Sequence, residues 1–433
     1  MKIAFLVNDL HLSGGINVVV KHASSLQATH GHLVTIVVSG RGGWHEWRYP
    51  ELRSIRVVTL EEAKSEHFDL AIATWWETVF NIGLLDADHA VWFMQSLEDR
   101  FYRAGDPMQL LAQAAYAIQI PVITEASWIR SFLQTQNPDR AVGYARNGID
   151  KGIFRLGTRR EWDGPLRVMI EGSASAPNKG VAECLEVVRR MKAPHSVTWV
   201  SPSGATVGDP SISAVAGPLT FDEMADVYRN SDVLLKLSRV EGMFGPPLEA
   251  FHCGATAVVA PVTGAEEYIA HGFNSLVVGW DDPMGTAAVL DELAMDPAAL
   301  RRLQQNALAT AESWPDWSQS SADFNSELQR LVSLPTTLSA RQIHAQASIL
   351  RSLRVPMRLM HENSISTLRV VDAAFRRIQD LEVEVAAKTE RIAALHHAHA
   401  EKLWWDAFSD RLPVRILLAL RQRWRRIRTK KSA

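Results

Sequence analysis

The sequence contains little cysteine, no long apolar run and no overall excess of positive charge. Its 433 residues include only two cysteines, Cys184 and Cys253, which lie far apart among apolar neighbours. This indicates neither a disulfide framework nor a cysteine-ligated metal site, and a reducing compartment is expected. No stretch approaches the roughly 18–20 apolar residues that a bilayer-spanning helix needs. The formal net charge of −2 gives no global basic field to recruit nucleic acid.

The first residues of the sequence are not expected to form a secretory signal peptide. They have one lysine and a short apolar run that ends at Asn8-Asp9, which is too short for such a peptide. The chain is 47% hydrophobic and 22% charged, a composition typical of globular proteins. Its length suits two domains plus an appendage. We therefore predict a cytoplasmic protein, peripheral at the cytosolic membrane face if its tail binds lipid.

Short apolar runs alternate with helical segments in both halves of the chain. Strands are predicted at 2–8, 33–39, 69–74, 90–94 and 122–124, and then again at 166–171, 196–201, 233–237 and 256–260. This pattern predicts an α/β protein of two Rossmann-like domains facing a cleft, at 1–155 and 156–332. Parallel sheets of this kind bind ligands at the carboxyl ends of their strands, so the cleft is the predicted site.

From about Leu338 glycine disappears and helix-forming residues dominate, which predicts a helical extension over 338–410. A seven-residue repeat is formed by Ile378, Val385 and Ile392, with Leu381 and Leu395 at the second core position and Lys388 interrupting. The segment 371–399 is therefore either a short self-associating coiled coil or an amphipathic helix packed on its own chain.

The last residues, 411–433, contain nine lysines and arginines and no acidic residue. An apolar stretch, Ile416–Leu420, and Trp424 lie among them. This composition predicts an interfacial helix on an anionic membrane surface. The alternative is a solvated basic tail, or one that binds another acidic partner.

The segment 241–249 (EGMFGPPLE) is the densest group of residues suited to chemistry. Gly242 and Gly245 allow a sharp turn and a close approach to a ligand, and the two prolines suit a first helical turn. Free amides at a helix start bind anions. Glu249, one turn inside, is suited to holding hydroxyl groups such as those of a ribose. The alternative is an ordinary loop whose glutamate is favoured by the helix dipole.

Two glutamates separated by seven residues, in the context EG-x-FG-x-PLEA-x-x-CG, resemble the signature of family-four retaining glycosyltransferases of the GT-B fold. Further matching segments are Gly14-Gly15, Gly31-His32-x-Val34, Asn147-Gly148-Ile149-Asp150 with Phe154, Asn178-Lys179-Gly180, Thr263-Gly264-Ala265-Glu266-Glu267, Asp282-Pro283 and Ser313-Trp314. The resemblance covers about residues 1–332.

This resemblance implies a nucleotide-sugar donor site in the second domain. Glu249 would bind the ribose, Glu241 would lie near the sugar or phosphate, and Lys179 would bind the diphosphate. The implied donor-binding set is Gly172, Ser173, Lys179, Glu241, Gly242, Phe244, Gly245, Glu249 and Gly264, with Glu241 and Lys179 as the catalytic pair. The implied acceptor side consists of Gly14, Gly15, Gln95 and Glu98.

The implied chemistry needs no metal and no cofactor. A departing nucleoside diphosphate gains negative charge, which a lysine and helix-end amides stabilise. The leaving phosphate itself deprotonates the acceptor in this interpretation, so no protein nucleophile is assigned.

The sequence departs from the family pattern at two positions. Ser173 stands where the family usually has an arginine, and Arg239 is a candidate substitute. Gln95 stands where the family often has a histidine. The spacing Gln95-x-x-Glu98-x-x-Phe101-Tyr102 resembles a subset that acts on rhamnose-type surface polysaccharides.

The resulting prediction is a hexosyl- or deoxyhexosyltransferase that moves a sugar from a nucleotide-sugar to a glycan or lipid-linked acceptor in surface polysaccharide synthesis. One alternative is a catalytically silent scaffold subunit of a membrane-associated assembly, and another is a nucleotide-sugar epimerase.

Three other features are interpreted as structural. Asp86-Ala87-Asp88 mimics a metal-binding DxD motif, but it precedes a strand and predicts a turn. His396, His397 and His399 are predicted to be solvated residues of a helix. Sugar stacking is conceivable for Trp75, Trp76 or Trp92, but core packing is the favoured interpretation for each.

Overall fold

A computed structural model describes residues 1–11, 13–40, 49–157, 164–201, 211–335, 338–409, 415–416 and 419. Most of the predicted basic tail, 411–433, lies outside the described residues, and its membrane binding stays a prediction.

The strands are β1 (Lys2–Val7), β2 (Leu33–Val38), β3 (Arg56–Thr59), β4 (His67–Ala73), β5 (Asp86–Met94), β6 (Val122–Thr124), β7 (Val142–Tyr144), β8 (Leu166–Glu171), β9 (His195–Val200), β10 (Ala214–Ala216), β11 (Val233–Lys236), β12 (Thr256–Val259) and β13 (Ser275–Val277). The helices are α1 (Gly14–Ala28), α2 (Leu60–Ala63), α3 (Trp76–Ile82), α4 (Pro107–Ala115), α5 (Ser127–Gln136), α6 (Val181–Arg190), α7 (Phe221–Arg229), α8 (Gly245–His252), α9 (Pro283–Met295), α10 (Pro297–Ser313), α11 (Trp317–Val332) and α12 (Ala340–Ser409).

The strands form two parallel sheets that share one strand order over six strands, and the first sheet has a seventh strand at its edge. The first has the order β3-β2-β1-β4-β5-β6-β7 and the second β10-β9-β8-β11-β12-β13. All their pairings are parallel, for example Phe5 opposite Ile36 and Leu235 opposite Val258. Both faces of each sheet are covered, which explains why the central strands are continuous apolar runs. This confirms the predicted α/β fold of two Rossmann-like halves.

The sequence patterns predict the interior strands of both sheets and miss the edge strands. β7, β10 and β13 have three residues each and β3 has four, and every one lies at a sheet edge. The prediction of a turn at Asp86-Ala87-Asp88 is wrong, because these residues are the first three of β5. Their side chains are paired with His67 from the neighbouring strand, at 3.2 Å for Asp86 and 3.3 Å for Asp88. That pairing across adjacent strands is not visible in sequence spacing.

The chain crosses between the two halves twice, at adjacent points. At the first crossing the Ile149 amide donates to the Pro315 carbonyl at 3.1 Å, and Ile149 forms a bridge with Asp316. At the second crossing α11 leaves the second half and packs on the first, where Phe324, Leu328 and Leu331 are buried in its core. The predicted boundary at 332 places α11 in the second half, whereas its apolar face serves the first.

The predicted helical extension is present as α12. Its first turns, up to Arg358, belong to the first compact unit, and residues from Leu359 onward form a separate unit. Ala340, Ile343 and Ala347 are buried in the core of the first half, so this part is not an independent appendage. In the second unit Leu381, Val385 and Ile392 are exposed, as is His399. Self-association through 371–399 stays a prediction.

Among the described residues, no helix combines the length and the apolar character needed to cross a membrane.

Candidate active site

A cavity of about 990 Å³ lies between the two halves. Its floor consists of residues that follow β1, β4 and β5 in the first half and β8 in the second, such as Asn8, Trp75, Gln95 and Gly172. In both sheets the crossover direction changes between the first and fourth strand, and this switch point leaves a crevice at the carboxyl ends. The duplicated topology therefore explains where the cavity is.

Most of the site residues predicted from the sequence line this one cavity. They are Gly14, Gly15, Gln95, Glu98, Gly172, Ser173, Lys179, Glu241, Gly242, Gly245 and Glu249. Phe244 and Gly264 are not among the lining residues. The Phe244 side chain is fully buried in the core of the second half, and Gly264 packs behind the loop against the Gly242 carbonyl.

Lys179 is held at the cavity by an unusual turn. It ends a single turn, Pro177–Lys179, and Gly180 follows with φ of +65° before α6 begins. A side chain at Gly180 would place its Cβ 2.0 Å from the Leu237 carbonyl oxygen, so only glycine allows this close approach. The Lys179 Nζ lies 2.9 and 3.1 Å from the two carboxylate oxygens of Glu241. The predicted catalytic pair is thus an ion pair.

Glu249 lies one turn into α8, as the sequence predicts, and receives a hydrogen bond from the Tyr228 hydroxyl at 3.2 Å. Burial raises the pKa of Glu249 to about 7. Nearby, Glu171 at the end of β8 pairs with the fully buried Lys236 of β11. Burial would raise the pKa of Glu171, but the attraction of Lys236 and Lys179 outweighs it and holds that pKa below its ordinary value. Sequence patterns gave no sign of this pair, because its members are 65 residues apart.

The two halves contact each other through the loop that carries the signature motif. The Met243 amide donates to Glu125 Oε1 at 3.2 Å, and Asn147 Nδ2 donates to Glu125 Oε2 at 2.7 Å. The Trp128 indole donates to the Gly242 carbonyl at 2.8 Å. Glu125 is the first residue after β6. The first half therefore binds the signature loop of the second half at the carboxyl end of one of its own strands. Nothing in the local sequence distinguishes Glu125 from a solvated glutamate.

Glu125 is buried, and burial raises its pKa to about 8. A carboxyl whose pKa is raised on folding contributes its full stabilisation at pH values below the pKa of the unfolded state. This stabilisation is lost as the pH rises through the pKa of the folded state. We expect the melting temperature of the wild-type protein to fall more steeply between pH 5 and 8 than that of Glu125→Gln, with the difference levelling off above pH 8. Thermal melts at half-unit pH steps measure this. The exposed Glu266→Gln is the control, and parallel curves for wild type and Glu125→Gln would contradict the assignment.

Positive charge in the cavity is scarce. Lys21 and Lys179 are the only lysines or arginines among the described lining residues. Lys21 pairs with Glu51 at 2.7 Å and with Asp150 at 3.3 Å. Arg239 does not line the cavity and is paired with Glu183 and Asp281. The structure therefore gives no support to Arg239 as the substitute for the arginine that Ser173 replaces.

The acceptor-side predictions fall on the opposite wall. Gly15 faces the Gln95 side chain, since a Cβ at Gly15 would lie 3.4 Å from Gln95 Oε1. Glu98 is buried and accepts a hydrogen bond from the Trp76 amide at 2.6 Å. Burial, with the nearby carboxylates of Asp99 and Glu77, raises the Glu98 pKa well above its ordinary value. Burial of Glu98 thus favours the protonated form of this carboxyl.

Comparison with known proteins gives a family match within the second half and solved structures of the same fold. Residues 166–296 match the family described as Glycosyl transferases group 1. The chain has the GT-B fold: HepE of Anabaena, solved with UDP and glucose, superimposes with a TM-score of 0.62 at 14% identity, over 76% of this chain and all of that one. Sucrose-phosphate synthase of Thermosynechococcus elongatus gives a TM-score of 0.64 at 14% identity, over 76% and 99% of the two chains.

Two relatives of known activity are a glycosyltransferase and a mannosyltransferase. A D-inositol 3-phosphate glycosyltransferase of Streptomyces bingchenggensis is 31% identical over 29% of this chain and 28% of its own length. An MMP alpha-(1->4)-mannosyltransferase of Mycolicibacterium hassiacum is 29% identical over 40% of this chain and 45% of its own. The chain thus matches less than half the length of each of these relatives.

Proposed function

We propose that this protein is a retaining glycosyltransferase that transfers a sugar from a nucleotide-sugar to a glycan or lipid-linked acceptor. The observation that carries the proposal is the convergence of Lys179, the start of α8 and Glu249 on one cavity between the two halves. The match of residues 166–296 to group 1 glycosyl transferases covers the half that contains all three.

The arrangement suits a nucleoside diphosphate as leaving group. The Lys179 ammonium and the positive end of the α8 dipole stabilise the charge that develops on the departing phosphate. Glu249 accepts hydrogen bonds from the ribose hydroxyls, while Tyr228 fixes its orientation. The proposed reaction uses no metal, and the departing phosphate takes the proton of the acceptor hydroxyl.

The finer points of the proposal rest on the sequence resemblance. They are a deoxyhexose or hexose donor, a role in surface polysaccharide synthesis and a position at the cytosolic membrane face through the basic tail. The Gln95-x-x-Glu98-x-x-Phe101-Tyr102 spacing supports the rhamnose-type subset, whereas one relative is named for D-inositol 3-phosphate and another for mannosyl transfer.

The donor assignment is tested by melting-temperature shifts against UDP-, GDP- and dTDP-sugars. A ligand that binds only the folded protein adds about 2.7 kcal/mol of stability at one hundred times its Kd. We expect one nucleotide to raise the melting temperature of wild type and of Glu292→Ala, an exposed glutamate of the same half. Glu249→Ala is expected to lose most of that shift, because the ribose hydroxyls lose their acceptor.

A shift that survives in Glu249→Ala would contradict the ribose assignment. The absence of any shift from a well-folded protein would favour a second candidate, a catalytically silent scaffold. Two observations support that candidate. Both lysines among the described lining residues are already paired with carboxylates, and Ser173 stands where the family of the resemblance usually has an arginine. Conversion of the donor without an acceptor would instead indicate an epimerase.

A further inference from the structure

The first-half wall of the cavity contains an aromatic surface. The rings of Trp75 and Phe101 are nearly parallel, with an interplanar angle of 12° and a centroid distance of 6.0 Å. Both residues line the cavity, and Phe101 is 41% exposed. Trp76 and Trp92, by contrast, are completely buried in the core, as the sequence analysis favours. Trp75 is thus the one of the three whose ring is available to a ligand.

Next to this surface lies a carboxylate that is fixed in place. Glu77 is 5% exposed and lines the same cavity. Asn8 Nδ2 donates to Glu77 Oε2 at 2.9 Å, and Arg358 of α12 pairs with the other oxygen. Each carboxylate oxygen has a second lone pair. Glu77 therefore retains capacity to accept hydrogen bonds from ligand hydroxyls in a defined direction.

A buried hydroxyl without a partner lies on the same wall. Ser96 is 6% exposed and lines the cavity, and its Oγ has no hydrogen-bond partner among the described residues. Leaving a buried polar group unpaired is unfavourable. A ligand with hydroxyl groups would supply the missing partner, whereas a purely apolar ligand would not.

The charges on this wall decide the class of ligand. Among the described lining residues of the first half, Lys21 is the only lysine or arginine, and it is paired with two carboxylates. Asp9 and Glu77 also line this side. A phosphate ester would meet carboxyl groups and no uncommitted cation here. An uncharged polyol with an apolar face meets both an aromatic surface and hydrogen-bond acceptors.

We propose that Trp75, Phe101, Glu77 and Ser96 form a subsite for an uncharged sugar ring of the acceptor, which stacks on the aromatic surface and donates hydroxyl hydrogen bonds to Glu77. This proposal deepens the proposed transferase function. Its assignment of the bound sugar to the acceptor rests on that function. Arg358 is a positioning residue, because it holds Glu77 rather than touching the sugar. The first turns of α12 would then complete the acceptor side.

The test is ligand-observed saturation-transfer NMR on the full chain. The probes are the methyl α-glycosides of glucose, mannose, galactose and rhamnose, with myo-inositol phosphate as an anionic comparison. Phe101→Ala is the main variant, since its exposed ring is removed without opening the core. Phe273→Ala is the matched control, because that ring is 52% exposed and does not line the cavity.

We expect at least one methyl glycoside to bind, with a Kd raised about fivefold or more in Phe101→Ala and unchanged in Phe273→Ala. Arg358→Gln is expected to weaken the binding of the same glycoside. The melting-temperature shift caused by nucleotide-sugars is expected to stay unchanged in this variant. Three results would overturn the subsite: no glycoside signal with wild type, a signal indifferent to Phe101→Ala, or binding of myo-inositol phosphate that depends on Phe101.

The same measurements separate this proposal from the proposed function. Glycoside binding that depends on Phe101, in a protein that binds no nucleotide-sugar, would retain the sugar subsite and overturn the transferase. If the protein binds a nucleotide-sugar but its glycoside binding is unaffected by Phe101→Ala, the transferase proposal is retained and the sugar subsite is overturned.

Discussion

Replacing Lys179 with alanine is expected to lower the rate of sugar transfer by roughly 10² to 10³, the effect typical of removing one preorganised group that stabilises developing charge. Lys179 and Lys21 are the only lysines or arginines among the described residues that line the cavity, and Lys21 belongs to the opposite half. The leaving diphosphate therefore has no second lysine on its own side. Initial rates of nucleoside diphosphate release, with acceptor present, measure the effect.

Breaking the Lys179–Glu241 ion pair also affects donor binding, and a double variant separates this effect from the effect on catalysis. Lys179→Ala leaves the largely buried Glu241 carboxylate without its cation, and this carboxylate would repel the phosphates. We expect the double variant Lys179→Ala with Glu241→Gln to bind the donor better than Lys179→Ala alone, while the transfer rate stays low. Lys192→Ala, an exposed lysine of the same half, is the control. Wild-type rates in Lys179→Ala would refute the catalytic assignment.

Gly242→Ala is expected to disrupt the contact between the two halves and to reduce transfer at least tenfold. A Cβ at Gly242 would lie 1.7 Å from the Gln95 carbonyl oxygen and 3.3 Å from Glu125 Oε1. The first distance is far below any permitted contact, and the obstacle is backbone rather than a flexible side chain. The loop must move away from the first half, and a displacement of about 1 Å at a reacting centre costs about a hundredfold in rate.

The readouts for Gly242→Ala are the transfer rate, the melting temperature and the nucleotide melting shift. We expect a destabilisation of about 1–3 kcal/mol, the usual cost of overpacking. Gly279→Ala is the matched control, because its Cβ would meet only Asp282 Cβ at 3.9 Å. A wild-type transfer rate in Gly242→Ala would mean that the halves do not need this contact for catalysis.

The sequence alone determined the α/β architecture and picked out several residues of the second half that line the cavity. Apolar runs such as 166–171 and 233–237 predict central strands because both faces of a parallel sheet are buried. Glu241 and Glu249 belong to a local pattern of glycines, prolines and acidic residues at a helix start, whereas Lys179 is implied by the resemblance to a glycosyltransferase family. Their placement on one cavity follows from the duplicated sheet, where strand ends converge.

Only the tertiary structure decided which groups face each other across the cavity and how the pKa values of the carboxyl groups are shifted. The pairing of Glu171 with Lys236, the burial of Glu125 against the Met243 amide and the position of Arg358 beside Glu77 join residues 65, 118 and 281 positions apart. No periodicity or motif encodes such distances. Burial and neighbouring charge set the protonation of these carboxyls, and both arise only once the two halves and the first turns of α12 are packed together.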